Sequence, residues 1–298
     1  LSVGSRLSLR QTGFNWDKWA PNAYVIMEDV DEAELKKPTL HVDMPLNVDA
    51  KILLQKLLDR SEDKVSKKEK WIEQCQTWKS NYPVVQKKHY DDPDMCNPYC
   101  FMKELSRRLP EGSVTVVSNG TACAVGSHAF EFKKNQRFIV NSAIASMGYG
   151  LPASIGACIA NEYKDTICLE GDGSIMMNIQ ELQTVITNRL PIKIFIINNE
   201  GYHSIRITQT NLFNKNFCGI GRQSGDLDFP SFEKIAYAFG YPYYKLSDNT
   251  EMSKLDTILS VPGPLICEVF VNTKQTFEPK SATKKLPDGT LYSPPLED

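Results

Sequence analysis

From about residue 93 onward the chain alternates short apolar runs with helix-length segments, and this alternation constrains its fold more than any other feature. A helix is predicted over 98–109, then a strand over 113–118 (SVTVVS) ending in Asn119-Gly120-Thr121. A strand near 137–140 precedes MGYGLPASIGACIA, whose small residues let a helix pack closely. Strand 166–170, helix 175–188, strand 192–197, a loop, helix 230–239 and strand 264–271 follow. Repetition of this kind gives parallel βαβ units in a doubly wound, mostly parallel α/β sheet flanked by helices. Ligands bind such sheets beyond the carboxyl ends of the strands. No internal repeat or low-complexity tract interrupts the pattern, and the polar tail 272–298 is expected to wrap the surface.

Upstream the pattern is incomplete. Residues 1–62 hold a predicted strand at 24–28, a helical turn in DVDEAELKK with an acidic start and basic end, and a helix over 49–58. These make at best part of an α/β domain. Residues 63–92 are charge-rich, and Trp71 and Trp78 lie seven apart, on one face of a helix. They are expected to form a connecting helical linker, closed by the boundary signal YDDPDMCNP. The domain from 93 to 298 then carries the regular alternation. The chain opens on Leu1 with LSVGSRL, which reads like the inside of a domain, so a piece of a longer protein is expected.

With 41% hydrophobic and 23% charged residues the chain is ordinary globular protein, and a net charge of −2 argues against a nucleic-acid surface. No apolar stretch approaches the ~18 residues of a membrane span, and no signal peptide is visible. The eight cysteines sit mostly singly in apolar runs such as TICLE and LICEV, the pattern of reduced thiols in a cytoplasmic protein. Cys96 and Cys100 in CNPYC lack a second Cys/His pair, so a zinc site is not expected there.

The chemistry concentrates in DTICLEGDGSIMMNIQELQTVITNRLPIKIFIINNEGYH, residues 165–203. Two apolar strands end abruptly, one in Gly171-Asp172-Gly173-Ser174, the other in Asn198-Asn199. In a right-handed βαβ unit both ends emerge on one sheet edge. If the strands are adjacent, Asp172 and Asn199 converge within roughly one strand spacing, ~5 Å. A carboxylate and an amide oxygen, completed by a backbone carbonyl, water and phosphate, form a hard-oxygen set suited to Mg²⁺. Gly171 and Gly173 permit close approach of the backbone to a ligand, and Ser174 opens a helix whose free N–H groups favour an anion such as a diphosphate.

GDG followed by NN at this separation resembles the signature of thiamine-diphosphate-dependent enzymes. ASMGYGLPASIGA (145–157), MNIQEL (177–182) and SIRITQ (204–209) resemble the segments that accompany it in the acetolactate synthase-like branch. GSRL and MEDVDEAELKK resemble the second half of that family's middle, Rossmann-like domain. The resemblance covers essentially the whole chain. It implies a thiamine-diphosphate-binding fold preceded by part of a middle domain. It also implies thiamine diphosphate and Mg²⁺ as cofactors, with Asp172 and Asn199 as side-chain ligands and Gly201 as a carbonyl ligand. Asn119, Gly120, Thr121, Ser146, Gly171, Gly173, Ser174 and Tyr202 would lie along the cofactor. Met147 would sit beneath it, the carbonyl of Ala145 would accept from its amine, and His203 would face substrate as an acid or base.

The implied reaction is decarboxylation or carboligation of a 2-oxo acid. Two departures separate the chain from acetolactate synthase proper: GTACAV (120–125) replaces GQHQMW-like residues, and Thr208 stands where a Trp is usual. The family's catalytic Glu lies in an N-terminal pyrimidine-binding domain with no counterpart among these residues. The chain alone is therefore expected to be inactive and to need that domain, from a second subunit of a dimer or tetramer. FAD or another adenine nucleotide is expected only in an intact protein. Two alternatives stand beside this reading: the diphosphate-binding subunit of a split decarboxylase, and a non-catalytic nucleotide-binding module suggested by Gly4-Ser5-Arg6 and Asp29/Asp31.

Overall fold

A computed structural model describes residues 1–13, 16–61, 67–91, 95–142, 144–278 and 283–292. The last residue of the expected 1–62 segment and parts of the expected linker (63–66), of the boundary signal (92–94) and of the tail (279–282 and 293–298) lie outside the described residues. The chain divides into two compact units, Leu1–Asn81 with the C-terminal stretch from Pro279, and Tyr82–Glu278.

The first unit holds a three-stranded parallel sheet of β1 (Ser2–Val3), β2 (Ile26–Asp29) and β3 (Met44–Asn47), in that order. Asp31 caps the turn Glu32–Leu35 by accepting from Ala33 N, and Asp49 caps the helix Ala50–Arg60 through Lys51 N. The Trp pair lies on the helix Glu69–Asn81, with ring centroids 5.6 Å apart and nearly perpendicular planes.

In the second unit six strands form one wholly parallel sheet: β4 (Val114–Val117), β5 (Arg137–Val140), β6 (Thr166–Gly171), β7 (Ile192–Asn198), β8 (Tyr243–Leu246) and β9 (Leu265–Phe270). Their spatial order is β5-β4-β6-β7-β9-β8. β4, β6, β7 and β9 are buried along nearly their full length, which is why they read as continuous apolar runs instead of alternating ones. Helices Pro98–Arg108, Gly120–Ala129 and Lys254–Ser260 pack one face around Phe101, Phe195 and Leu255. Helices Gly150–Ala160, Glu181–Thr187 and Phe232–Phe239 pack the other around Leu151, Leu182 and Phe232.

Several local expectations change. The helix predicted over 175–188 is three pieces: Asp172–Ile175, a tight 3₁₀ turn Met176–Asn178, and Glu181–Thr187. Asn178 turns its Nδ2 to the Gly148 carbonyl at 2.9 Å, docking the segment before the helix resumes. The stretch after β7, expected as a loop, contains the helix His203–Leu212. Its Ile, Thr and Asn content is poor in intrinsic helix formers, so packing must supply what propensity does not. The short strand β8 and the helix Lys254–Ser260 were likewise not signalled by periodicity. Cys75 and Cys218 are exposed, unlike the buried thiols of the apolar runs. Among the described residues no helix is long and apolar enough to cross a membrane.

Candidate functional site

β6 and β7 are hydrogen-bonded neighbours in register from Thr166↔Ile192 to Gly171↔Ile197, so their carboxyl ends stop side by side. Asp172 leaves β6 there, almost wholly buried. Its Oδ1 accepts from Gly173 N at 2.8 Å and its Oδ2 from Gly201 N at 2.7 Å. Burial pushes its carboxyl up to about 7 against those hydrogen bonds and the Arg206 charge.

The two asparagines divide the work at the end of β7. Asn198 shapes the turn: its Oδ1 accepts from Glu200 N at 2.9 Å and its Nδ2 donates to Glu268 Oε1 at 2.5 Å. Asn199 donates from Nδ2 to Thr121 Oγ1 at 3.0 Å, and its buried Oδ1 has no hydrogen-bond partner. Beyond it Glu200 and Gly201 have φ of +57° and +125°. A side chain at Gly201 would stand 1.9 Å from the Ile220 carbonyl oxygen, so only glycine fits.

Asp172, Asn199 and Gly201 share a cleft of about 280 Å³ with Asn119, Gly120, Thr121, Ala145, Met147, Gly171, Gly173, Ser174, Tyr202 and His203. Of the residues singled out by sequence only Ser146 does not line it; Ser146 is exposed. Asn119 and Gly120 begin the helix Gly120–Ala129, whose amino end faces the cleft with its partial positive charge. Ser174 sits lower: its hydroxyl accepts from Gly148 N at 2.9 Å and pairs with the Ser118 hydroxyl at 2.8 Å. That contact docks the 145–148 loop, in which Ala145 takes φ +55° and Met147 is 41% exposed. The Tyr202 ring lies against Gly173 and meets Phe229 edge-on at 5.6 Å.

His203 is turned inward. Its Nε2 faces the Gln275 carbonyl at 2.8 Å and its Nδ1 faces Arg206 Nη1 at 3.4 Å, partners that suit a neutral ring with the proton on Nε2. Burial lowers its pKa. With both nitrogens engaged, the ring is held as part of the wall, which does not favour the acid–base role expected of it. Arg206 was not singled out by sequence. Inside SIRITQ nothing distinguishes it from an exposed helical arginine, yet it is buried and donates to the carbonyls of Asn199 and Glu200, each at 2.8 Å.

A second cleft of about 340 Å³ opens across the Asn198–Glu200 turn, between β7, β8 and β9. Asp172 borders this cleft as well, and its other buried carboxylate, Glu268, is already held by Asn198 and by the Tyr243 hydroxyl, each at 2.5 Å. The smaller cleft is the one with an unpartnered ligand atom.

The donor set fits a hard divalent cation. A buried carboxylate short of compensating charge and a buried amide oxygen without a hydrogen bond lie at neighbouring strand ends, where a cation would satisfy both. The adjoining helix amino end suits a diphosphate. Fold and site together define a cofactor-binding α/β domain of the doubly wound class, with its crevice at the carboxyl edge of the sheet.

A family model described as thiamine pyrophosphate enzyme, C-terminal TPP binding domain, matches residues 118–269, from the end of β4 to β9. The chain belongs to that family. It is 32% identical to an acetolactate synthase large subunit of Cyanidium caldarium over 296 residues, 96% of this chain and 48% of that protein. It is 29% identical to the acetolactate synthase isozyme 2 large subunit of Escherichia coli (strain K12), over 100% of this chain and 51% of that one. The chain thus spans about half the length of the curated relatives it matches.

Proposed function

We propose that this chain is the diphosphate-binding, C-terminal portion of a thiamine-diphosphate- and Mg²⁺-dependent enzyme that decarboxylates or ligates a 2-oxo acid. The observation that carries the reading is the orphaned Asn199 Oδ1 beside the buried Asp172 carboxylate. In this reading Asp172, Asn199 and the Gly201 carbonyl hold Mg²⁺. Asn119, Gly120, Thr121, Gly171 and Gly173 face the diphosphate, with the Ser174 hydroxyl docking the neighbouring loop. Met147 and Ala145 support the ring end, and Tyr202 closes one wall. When bound, the cofactor supplies a thiazolium that stores the electron pair released from a 2-oxo acid. The protein's residues contribute position, exclusion of water and the metal clamp.

The first unit is then the second half of a middle domain, and a pyrimidine-binding domain, from a second subunit of a dimer or tetramer, completes the active site in the cytoplasm. The likeness to acetolactate synthase large subunits supports the 2-oxo acid class. Carbon dioxide release from a panel of 2-oxo acids by the complete protein, with thiamine diphosphate and Mg²⁺, tests it. Release that EDTA abolishes is expected; a panel without any release would overturn the substrate class.

A further inference from the structure

Just before the Gly171-Asp172 turn stands a carboxyl that the proposed chemistry does not use. Glu170 is wholly buried in β6, and its Oε1 accepts from Leu151 N at 2.9 Å. Leu151 is the second residue of the helix Gly150–Ala160, and the first N–H groups of a helix have no intrahelical partner. Tyr149, the residue before that helix, supplies no capping side chain. Asp31 and Asp49 cap their own helices at the same position, so Glu170 does from β6 what a local Asp does elsewhere in the chain.

Gly150 keeps room for this carboxyl, since a Cβ there would stand 2.5 Å from Glu170 Oε1. The Ser118 and Ser174 hydroxyls lie beside it, yet among the described residues its buried Oε2 has no hydrogen-bond partner. A buried polar atom left unpaired costs free energy. An apolar side chain would fill the space without that cost; what the carboxyl adds is its hold on Leu151 N. Residues 145–148 run straight into this helix. Gly148 takes φ +76°, donates from N to Ser174 Oγ at 2.9 Å and accepts at its carbonyl from Asn178 Nδ2 at 2.9 Å. With Glu170 on Leu151 N, the exit of the loop is gripped at both Gly148 and Leu151.

We propose that Glu170 is a positioning residue for the 145–148 loop, and that it sets the seat of the cofactor's ring end without contributing to the diphosphate end. The inference rests on the cofactor reading above. The diphosphate end has holds of its own: Asp172 accepts from Gly173 N and Gly201 N, and Asn199 donates to Thr121. Removing the acceptor at 170 frees the start of the helix and shifts Met147 and the Ala145 carbonyl, while those holds remain. Glutamine keeps a carbonyl oxygen for Leu151 N and brings an amide that can donate to a serine hydroxyl, so it is the conservative replacement.

The test is calorimetric titration of the full chain in Mg²⁺, with thiamine diphosphate and separately with inorganic pyrophosphate, for wild type, Glu170→Leu, Glu170→Gln and Gly150→Ala. Pyrophosphate reports the diphosphate end alone, and the ratio of the two affinities reports the ring end. Melting curves without ligand report stability independently. Glu170→Leu and Gly150→Ala are expected to lower the ratio about tenfold, the lower end of the loss usual for a group that supports ligands from behind, with pyrophosphate affinity unchanged. Glu170→Gln should keep the wild-type ratio. An unchanged ratio in Glu170→Leu, whether or not affinity falls, overturns the proposal, because general destabilisation weakens both ligands alike. A glutamine variant that loses as much as the leucine variant overturns it too, since the hold on Leu151 N would then not be what matters. If Glu170→Leu does not fold, Gly150→Ala, which displaces the carboxyl without removing it, decides by the same ratio. Wild-type protein that binds neither ligand would overturn the cofactor reading itself, whereas thiamine diphosphate bound no tighter than pyrophosphate would overturn this inference alone.

Discussion

Asn199 and Thr121, 78 positions apart in the chain, meet at the carboxyl edge of the sheet, where the Asn199 amide donates to the Thr121 hydroxyl at 3.0 Å. The contact fixes which end of the amide faces which way: nitrogen toward Thr121, oxygen unpaired. Thr121→Val removes the acceptor and frees the amide to turn. Cofactor affinity in Mg²⁺ is expected to drop about tenfold or more, as for other outer-shell partners. Thr121→Ser should retain it. Equal affinities for the valine and serine variants would show that the hydroxyl does not orient the amide.

The Asp172 carboxyl, pushed up to about 7 by burial, makes the unliganded protein sensitive to pH. A raised carboxyl is tolerated in its neutral form below its unfolded value near 4, and the stability this gives is lost as pH rises through about 7. Relative to Asp172→Asn, the unliganded wild type should lose up to ~4 kcal/mol between these limits. Mg²⁺ with the cofactor should remove the difference. Urea unfolding at pH 4 and pH 8 measures it, and parallel profiles for the two proteins would contradict the assignment.

Glu278 titrates in the opposite sense. Burial raises its pKa, but hydrogen bonds from Lys88, His89 and Gln275 outweigh burial and hold it down to about 2. A lowered carboxyl stabilises the fold above its unfolded value, near 4.5, and the contribution is lost as pH falls toward 2. Glu278 N also donates to the Tyr99 hydroxyl at 2.7 Å, and the nearby Gln275 carbonyl faces His203, so this segment buttresses the cleft wall. Glu278→Gln should melt lower than wild type at pH 6 and equally at pH 2. A constant gap would mean that the charge is not involved.

Gly201→Ala should be among the most damaging single changes. It places a Cβ 1.9 Å from the Ile220 oxygen at a φ of +125°, and Gly221 makes the reciprocal approach to the Glu200 oxygen. A loss of at least about 3 kcal/mol is expected from strain and steric displacement together. Thermal or urea unfolding checks it; a change under 1 kcal/mol by the same criterion would show that the turn relaxes freely.

The ends of β6 and β7 were legible because an apolar run that stops at Asp172 or Asn198 marks both a strand and its exit. The alternation that surrounds them was enough for a parallel sheet. The order β7-β9-β8 was not legible, since nothing local tells β9 to insert between its neighbours. The helix from His203 was missed because its residues favour other conformations in isolation. Arg206 was invisible for a related reason: its meaning lies in two main-chain oxygens that the turn at Glu200 brings together. Gly201 was singled out only through what the family resemblance implies for its carbonyl, and its contact with Ile220 depends on a strand exit and a distant loop crossing.

The most direct measurement is calorimetry of the full chain with thiamine diphosphate, in Mg²⁺ and in EDTA, for wild type and Asp172→Ala. Saturable binding in Mg²⁺ that disappears both in EDTA and in Asp172→Ala is the expected result. Binding that survives EDTA, or that Asp172→Ala leaves unchanged, would contradict a cofactor clamp built from the ends of β6 and β7.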